Sequence, residues 1–142
     1  MEKIKIYESL SAEQTQQIAR EIGQRAKSGE VYCLCGELAA GKTVFAGGFA
    51  EGLEIEEDIS SPTFAIVNTY EGRLPFYHFD VYRIVDVDEM EETGFEDYVY
   101  GDGVCLIEWA ELIKEIIPAS AVWIEITKDY AKGEDYRRIC VK

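Results

Sequence analysis

The chain has 142 residues, 47% of them hydrophobic, and its 28 acidic against 14 basic side chains give a formal net charge of −14. That length fits a single domain, residues 1–142, with a sizeable core, while the acidity disfavours direct binding to a nucleic acid. No run approaches the roughly 18 apolar residues of a membrane span, and residues 1–7 alternate like a strand where a signal peptide would be apolar, which points to a cytoplasmic protein.

In chain order, residues 3–7 read as a first strand, and Ser11 with Gln14 three positions on has the spacing of a capping box. Ile18, Ile22 and Ala26 recur at helical spacing behind it, and Gly29 is expected to stop that helix. A short apolar run, residues 31–35, is a buried strand. It leads into Gly36-Glu37-Leu38-Ala39-Ala40-Gly41-Lys42-Thr43, which spells G-x-x-x-x-G-K-S/T, and residues 44–53 continue as a helix with Phe49 and Leu53 on one side. Ser60-Ser61-Pro62-Thr63 breaks the chain. Residues 64–70 and 76–80 are strands joined by a turn too short for a parallel crossover, so they form an antiparallel hairpin. A short acidic helix over 87–92, a buried strand at 104–107, a helix over 110–117 and a hairpin of residues 122–127 and 136–141 complete the pattern. Helices interleaved with buried strands define an α/β fold, and the two hairpins require a mixed central sheet.

The glycine-rich octapeptide carries the most specific chemistry. Backbone N–H groups of such a loop wrap a β-phosphate, the lysine reaches the β- and γ-phosphates, the threonine hydroxyl sits on Mg²⁺, and the following helix adds its positive end. Two acids end apolar strands, Asp80 after residues 76–79 and Glu108 after 104–107, and both face the loop if their strands flank it. Asp80 is otherwise a turn cap or a partner for Arg83. Thr63 is either a switch-type hydroxyl or an ordinary turn residue beside Pro62. His78 reads as a structural histidine rather than a base, and Trp109 as core packing or as an aromatic wall beside the site. Cys33, Cys35, Cys105 and Cys140 read as free core thiols, and with His78 the sole histidine no zinc knuckle is formed. Acid clusters at 54–58 and 86–92 are solvated faces or surfaces for a basic protein partner.

The order and spacing of these segments resemble the TsaE family of small bacterial ATPases, over nearly the whole chain. The carriers are the Ser11 helix start, the octapeptide, Ser61-Pro62-Thr63-Phe64, His78-Phe79-Asp80-Val81-Tyr82-Arg83, Glu108-Trp109, and the segment from Gly133 to Arg137. The resemblance implies a P-loop NTPase-like three-layer fold that binds ATP or ADP with Mg²⁺. It implies nucleotide contacts from Ser11, Glu37, Leu38, Ala39, Ala40, Gly41, Lys42, Thr43, Val44 and Trp109, metal ligation by Thr43 and Glu108, and catalytic roles for Asp80 and Lys42. It further implies work with a TsaB–TsaD complex in making threonylcarbamoyladenosine beside the tRNA anticodon, with ATP hydrolysis resetting that complex and no direct grip on tRNA. Self-association is left open. Members usually read Gly-Asp-Leu-Gly-Ala-Gly-Lys-Thr, so Glu37 and Ala39 depart from the pattern, and Ala39 restricts backbone that glycine would leave free. A small-molecule kinase and a nucleotide sensor without turnover are the alternatives on the same loop. A GTPase is disfavoured by the lack of an N-K-x-D segment.

Overall fold

Four parallel strands, the central ones largely buried on both faces, organise the molecule, which a computed structural model describes over residues 4–37, 40–60 and 66–142. Strands β1 (Lys5–Ser9), β2 (Val31–Gly36), β3 (Val67–Glu71), β4 (Pro75–Asp80), β5 (Val104–Glu108), β6 (Val122–Lys128) and β7 (Arg137–Val141) form one sheet in the order β1-β7-β6-β2-β5-β4-β3. β4, β5, β2 and β6 run parallel, whereas β3 on β4, β7 on β6 and β1 on β7 are antiparallel. The expected mixed sheet and both hairpins are present.

Period-two alternation divides the strand residues between two cores. Leu34, Phe76, Leu106, Ile124 and Ile126 face α1 (Ala12–Arg25) and α2 (Lys42–Gly52), while Cys33, Phe79, Cys105 and Ile107 face the opposite layer. That second layer is a 3₁₀ segment over Val87–Thr93, the short helix α3 (Phe95–Val99) and a 3₁₀ segment over Ala110–Ile116. Phe45, Phe49 and Leu53 are fully buried along α2, each contributing about 1.5–3 kcal/mol by leaving water. The acid clusters are solvated at their charges but anchored by Ile55 and Met90, which are buried. Cys33, Cys105 and Cys140 are buried, and Cys35, expected in the core, is only half-buried.

Several elements differ from their sequence reading for identifiable reasons. The first strand covers Lys5–Ser9, with Lys3 outside the described residues. The Ser11 hydroxyl accepts from the Gln14 N–H at 3.1 Å as a cap should, but the Gln14 side chain accepts from the Leu10 N–H at 2.7 Å, one residue outside the box. α1 ends at Arg25 and not at Gly29, since Ala26 is already extended. The turn beyond it is tied elsewhere, by the Ser28 hydroxyl to the Asp102 carbonyl and by the Gly29 N–H to the Gly103 carbonyl. The strand read at 64–70 is Val67–Glu71, its first two residues lying outside the described ones. The acidic helix is a 3₁₀ segment extended by α3, which the sequence did not suggest and which buries Phe95 and Val99. The segment read as a helix over 110–117 is also 3₁₀ and is broken at Ile113; its buried residues, Ala110 and Ile113, are three apart, the repeat at which 3₁₀ side chains eclipse.

α1 and α2 pack backbone against backbone. A Cβ on Gly48 would collide with the Gln16 carbonyl of α1. Since neither main chain can retreat without moving its helix, Gly48→Ala is expected to cost about 1–3 kcal/mol, read as a lower denaturation midpoint with an unchanged slope in urea titration.

Candidate functional site

The parallel strands bring the predicted acids together at their carboxyl edge. In register, Leu34 of β2 pairs with Glu108 of β5, and Glu108 pairs with Asp80 of β4. β2 runs two residues further, to Gly36, where the octapeptide begins, so the loop rises over the ends of β5 and β4. Alternation sets Phe76, His78 and Asp80 on one face of β4 and Leu106 and Glu108 on the same face of β5, the face covered by α2. The loop lies at the carboxyl end of its strand, as expected.

Within the loop, Glu37 is exposed and its carbonyl accepts the Ala40 N–H at 3.1 Å; Ala40 is fully buried. Gly41 caps α2 at φ 101°, a conformation that favours glycine, and its carbonyl accepts the Phe45 N–H at 2.9 Å. Lys42 opens the helix, Thr43 is exposed beside it and Val44 is half-buried. Ser11, at the start of α1, shares a cavity of about 80 Å³ with Thr15, Gly41, Val44, Asp135 and Arg137. Leu38, Ala39 and Thr63 lie outside the described residues.

Lys42 is the most unusual group in this edge. Its side chain is 7% exposed, and its ammonium has no hydrogen-bond partner among the described residues. It rests 3.4 Å from the centroid of the Trp109 ring, a cation–π contact worth up to about 2 kcal/mol when desolvated. Burial holds the ammonium below the ordinary lysine pKa, against the opposing pull of Glu108, Glu111 and Asp80. Trp109 reaches this position because its backbone turns left-handed at φ 63° directly after β5, and Tyr82 packs on it at 4.6 Å between ring centroids. The sequence left Trp109 open between core and site wall; its ring packs against the second core and also meets the Lys42 ammonium.

Glu108 is buried and accepts a 2.6 Å hydrogen bond from Nε2–H of His78, which is buried as well. His78 thus has a definite partner at Nε2, while its Nδ1 is buried without a hydrogen-bond partner among the described residues. Asp80 accepts the Tyr82 N–H at 3.0 Å, so one of its oxygens caps a turn. No Asp80–Arg83 ion pair forms among the described residues, although both border a cavity of about 510 Å³. Among the described residues no three of His, Cys, Asp and Glu are arranged to hold a metal. Burial and the neighbouring Glu111 push the Cys35 thiol up to about 12, and burial takes Cys105 to about 12, so neither is a thiolate nucleophile near neutral pH.

Sequence reasoning missed two contacts at this edge. His78 and Asp80 are two apart on one strand, a spacing that could have signalled that the histidine shares the acids' face. Arg137, whose Nε–H donates to the Ala40 carbonyl at 2.9 Å, lies 97 residues away; it ends a segment that carried the resemblance, but nothing local pointed it at the loop.

This arrangement defines a phosphate-loop α/β protein. Its relatives narrow the class: the sequence profile described as "Threonylcarbamoyl adenosine biosynthesis protein TsaE" matches residues 9–139, and the chain belongs to that TsaE family. It is 46% identical over 134 residues to the tRNA threonylcarbamoyladenosine biosynthesis protein TsaE of Bacillus subtilis, covering 94% of this chain and 82% of the relative. It is 43% identical to the protein of the same name in Treponema pallidum, covering 83% and 87%. The crystal structure of Bacillus subtilis YdiB superposes with a TM-score of 0.80 at 40% identity, covering 99% of this chain and 86% of that one.

An unpartnered buried cation costs stability when no anion is bound. Lys42→Met is expected to raise the melting temperature of the ligand-free protein by about 2–4 °C, the shift expected from about 1 kcal/mol in a chain of this size. Because the lysine pKa is lower folded than unfolded, the unfolded chain binds more protons above the folded value, and wild-type stability gains on the variant as pH rises. Thermal melts of both proteins across the alkaline range should show the gap narrowing; a constant or widening gap would contradict it.

Proposed function

We propose that the chain is a Mg²⁺-dependent ATPase that acts with TsaB and TsaD in the biosynthesis of threonylcarbamoyladenosine next to the tRNA anticodon, its hydrolysis of ATP to ADP and phosphate resetting the partner complex. Family membership supports the pathway. The buried Lys42 ammonium supports the chemistry: it lacks a hydrogen-bond partner among the described residues at the start of α2, between the loop and the ends of β4 and β5. It is a positive charge that a phosphate would complete.

The residues present also fit Mg²⁺. Such an ion usually takes one or two protein carboxylates or hydroxyls together with substrate phosphates, not a dedicated cage, and this edge offers the exposed Thr43 hydroxyl next in sequence to Lys42, whose ammonium feels the charges of Glu108 and Asp80. In this reading Thr43 and Glu108 hold the metal, which when bound neutralises charge developing on the phosphates. The His78 bond leaves Glu108 fixed in orientation. Lys42 exchanges the Trp109 ring for phosphate oxygens, the amides from Glu37 to Val44 wrap the phosphates, Ser11 borders the base side, and Asp80 orients water or the metal. An acidic subunit with a net charge of −14 is suited to working through a protein complex rather than on tRNA itself.

Purified protein with Mg²⁺-ATP is expected to release phosphate slowly, faster once TsaB and TsaD are added, and not at all after chelation by EDTA. Lys42→Ala should lower turnover by about 100-fold or more while still melting cooperatively. Phosphate release absent under all these conditions would remove the hydrolytic part of the proposal; phosphoryl transfer to an acceptor faster than to water would convert it to a kinase.

A further inference from the structure

Arg137 is the one side chain from outside the loop–helix unit that holds the main chain of the loop among the described residues. It opens β7, whose neighbours β6 and β1 fix it from both sides. Its Nε–H donates to the Ala40 carbonyl at 2.9 Å, and its Nη1 donates to the carbonyls of Glu134 at 2.7 Å and Tyr136 at 2.8 Å. The guanidinium is thus anchored to its own hairpin by one nitrogen and to the loop by another. The hairpin is pinned in turn by the Tyr136 hydroxyl, which donates to Glu8 at 2.6 Å.

The planarity of the peptide bond gives this contact its consequence. In a trans peptide the C=O and the following N–H point in opposite directions, so a partner that fixes the Ala40 carbonyl also fixes the Gly41 N–H, directed away from Arg137. Gly41 sits at φ 101°, and without a side chain it has little else to hold its peptide plane. Ala40 is fully buried, so water cannot readily replace the arginine at its carbonyl. A phosphate cradle works when its N–H groups face inward and its carbonyls outward. We propose that Arg137 is a positioning residue of the phosphate loop, which clamps the Ala40 carbonyl outward so that the Gly41 amide is set towards the phosphates before a nucleotide arrives. This rests on the nucleotide-binding reading above and adds to it a residue from the far end of the chain.

Lysine cannot reproduce the arrangement. It has one nitrogen where arginine uses two at fixed spacing, so it can hold the loop or the hairpin but not both. The test is isothermal titration of Mg²⁺-ATP, Mg²⁺-ADP and adenosine into wild type, Arg137→Lys and Arg137→Ala, with thermal melts of each protein alone. The clamp predicts that both variants lose about 10- to 100-fold in affinity for ATP and ADP, the range of a charge-assisted hydrogen bond, while adenosine binding and the Arg137→Lys melting temperature change little. It also predicts faster hydrogen exchange across residues 40–45 in the ligand-free variants. Should Arg137→Ala fail to melt cooperatively, Arg137→Lys decides. A lowered melting temperature with unchanged ATP and ADP affinity would make Arg137 a staple of the hairpin only and overturn the clamp, as would full affinity in Arg137→Lys. Wild type that binds no ATP would overturn both the clamp and the nucleotide-binding reading, whereas wild type that binds and variants that bind equally well would overturn the clamp alone.

Discussion

Burial of β5 is the constraint from which the site follows. All five of its residues are buried between β2 and β4, which holds the strand in parallel register on both sides and leaves its last residue no freedom of position. Glu108 therefore ends level with Leu34 and Asp80, beneath the loop that continues β2. A one-residue slip of register would turn Glu108 to the other face, away from His78 and α2. The tight left-handed turn at Trp109 directly after it carries the ring under Lys42.

The same edge concentrates costs that a purely structural domain would avoid. A buried lysine without a hydrogen-bond partner among the described residues, a tryptophan at positive φ and a glycine at φ 101° lie within a few residues of one another in space or sequence. Each is tolerated because the surroundings over-determine it: α2 packs through Phe45, Phe49 and Leu53, and the Trp109 ring compensates part of the ammonium's desolvation. Local rules of good packing are broken where ligand chemistry would need them broken.

Where the sequence could be read, periodicity and turn chemistry agreed with each other. The octapeptide, the buried strands before and after it, and the two hairpins all have short-range signatures, and each lies close to where those signatures put it. The errors have a common origin. α1 stops early since the 28–29 turn is bonded to residues 102 and 103, and the 110–116 segment is 3₁₀ since it must bury Ala110 and Ile113 immediately after a left-handed residue. α3 is only five residues long, too short to show a period. In the first two cases a long-range bond or a packing demand outweighed local propensity.

The sequence by itself determined the kind of chemistry and its parts: a glycine-lysine-threonine loop between strand and helix, and acids at the ends of apolar strands. Those are statements about spacing along one segment, and spacing is local. Only the tertiary structure decided the pairings across segments, His78 with Glu108, Lys42 with Trp109 and Arg137 with the Ala40 carbonyl. The partners in these pairs are separated by 30, 67 and 97 residues, and what brings them together is sheet order and register, which arise from the burial of whole faces and are written in no single stretch of the chain.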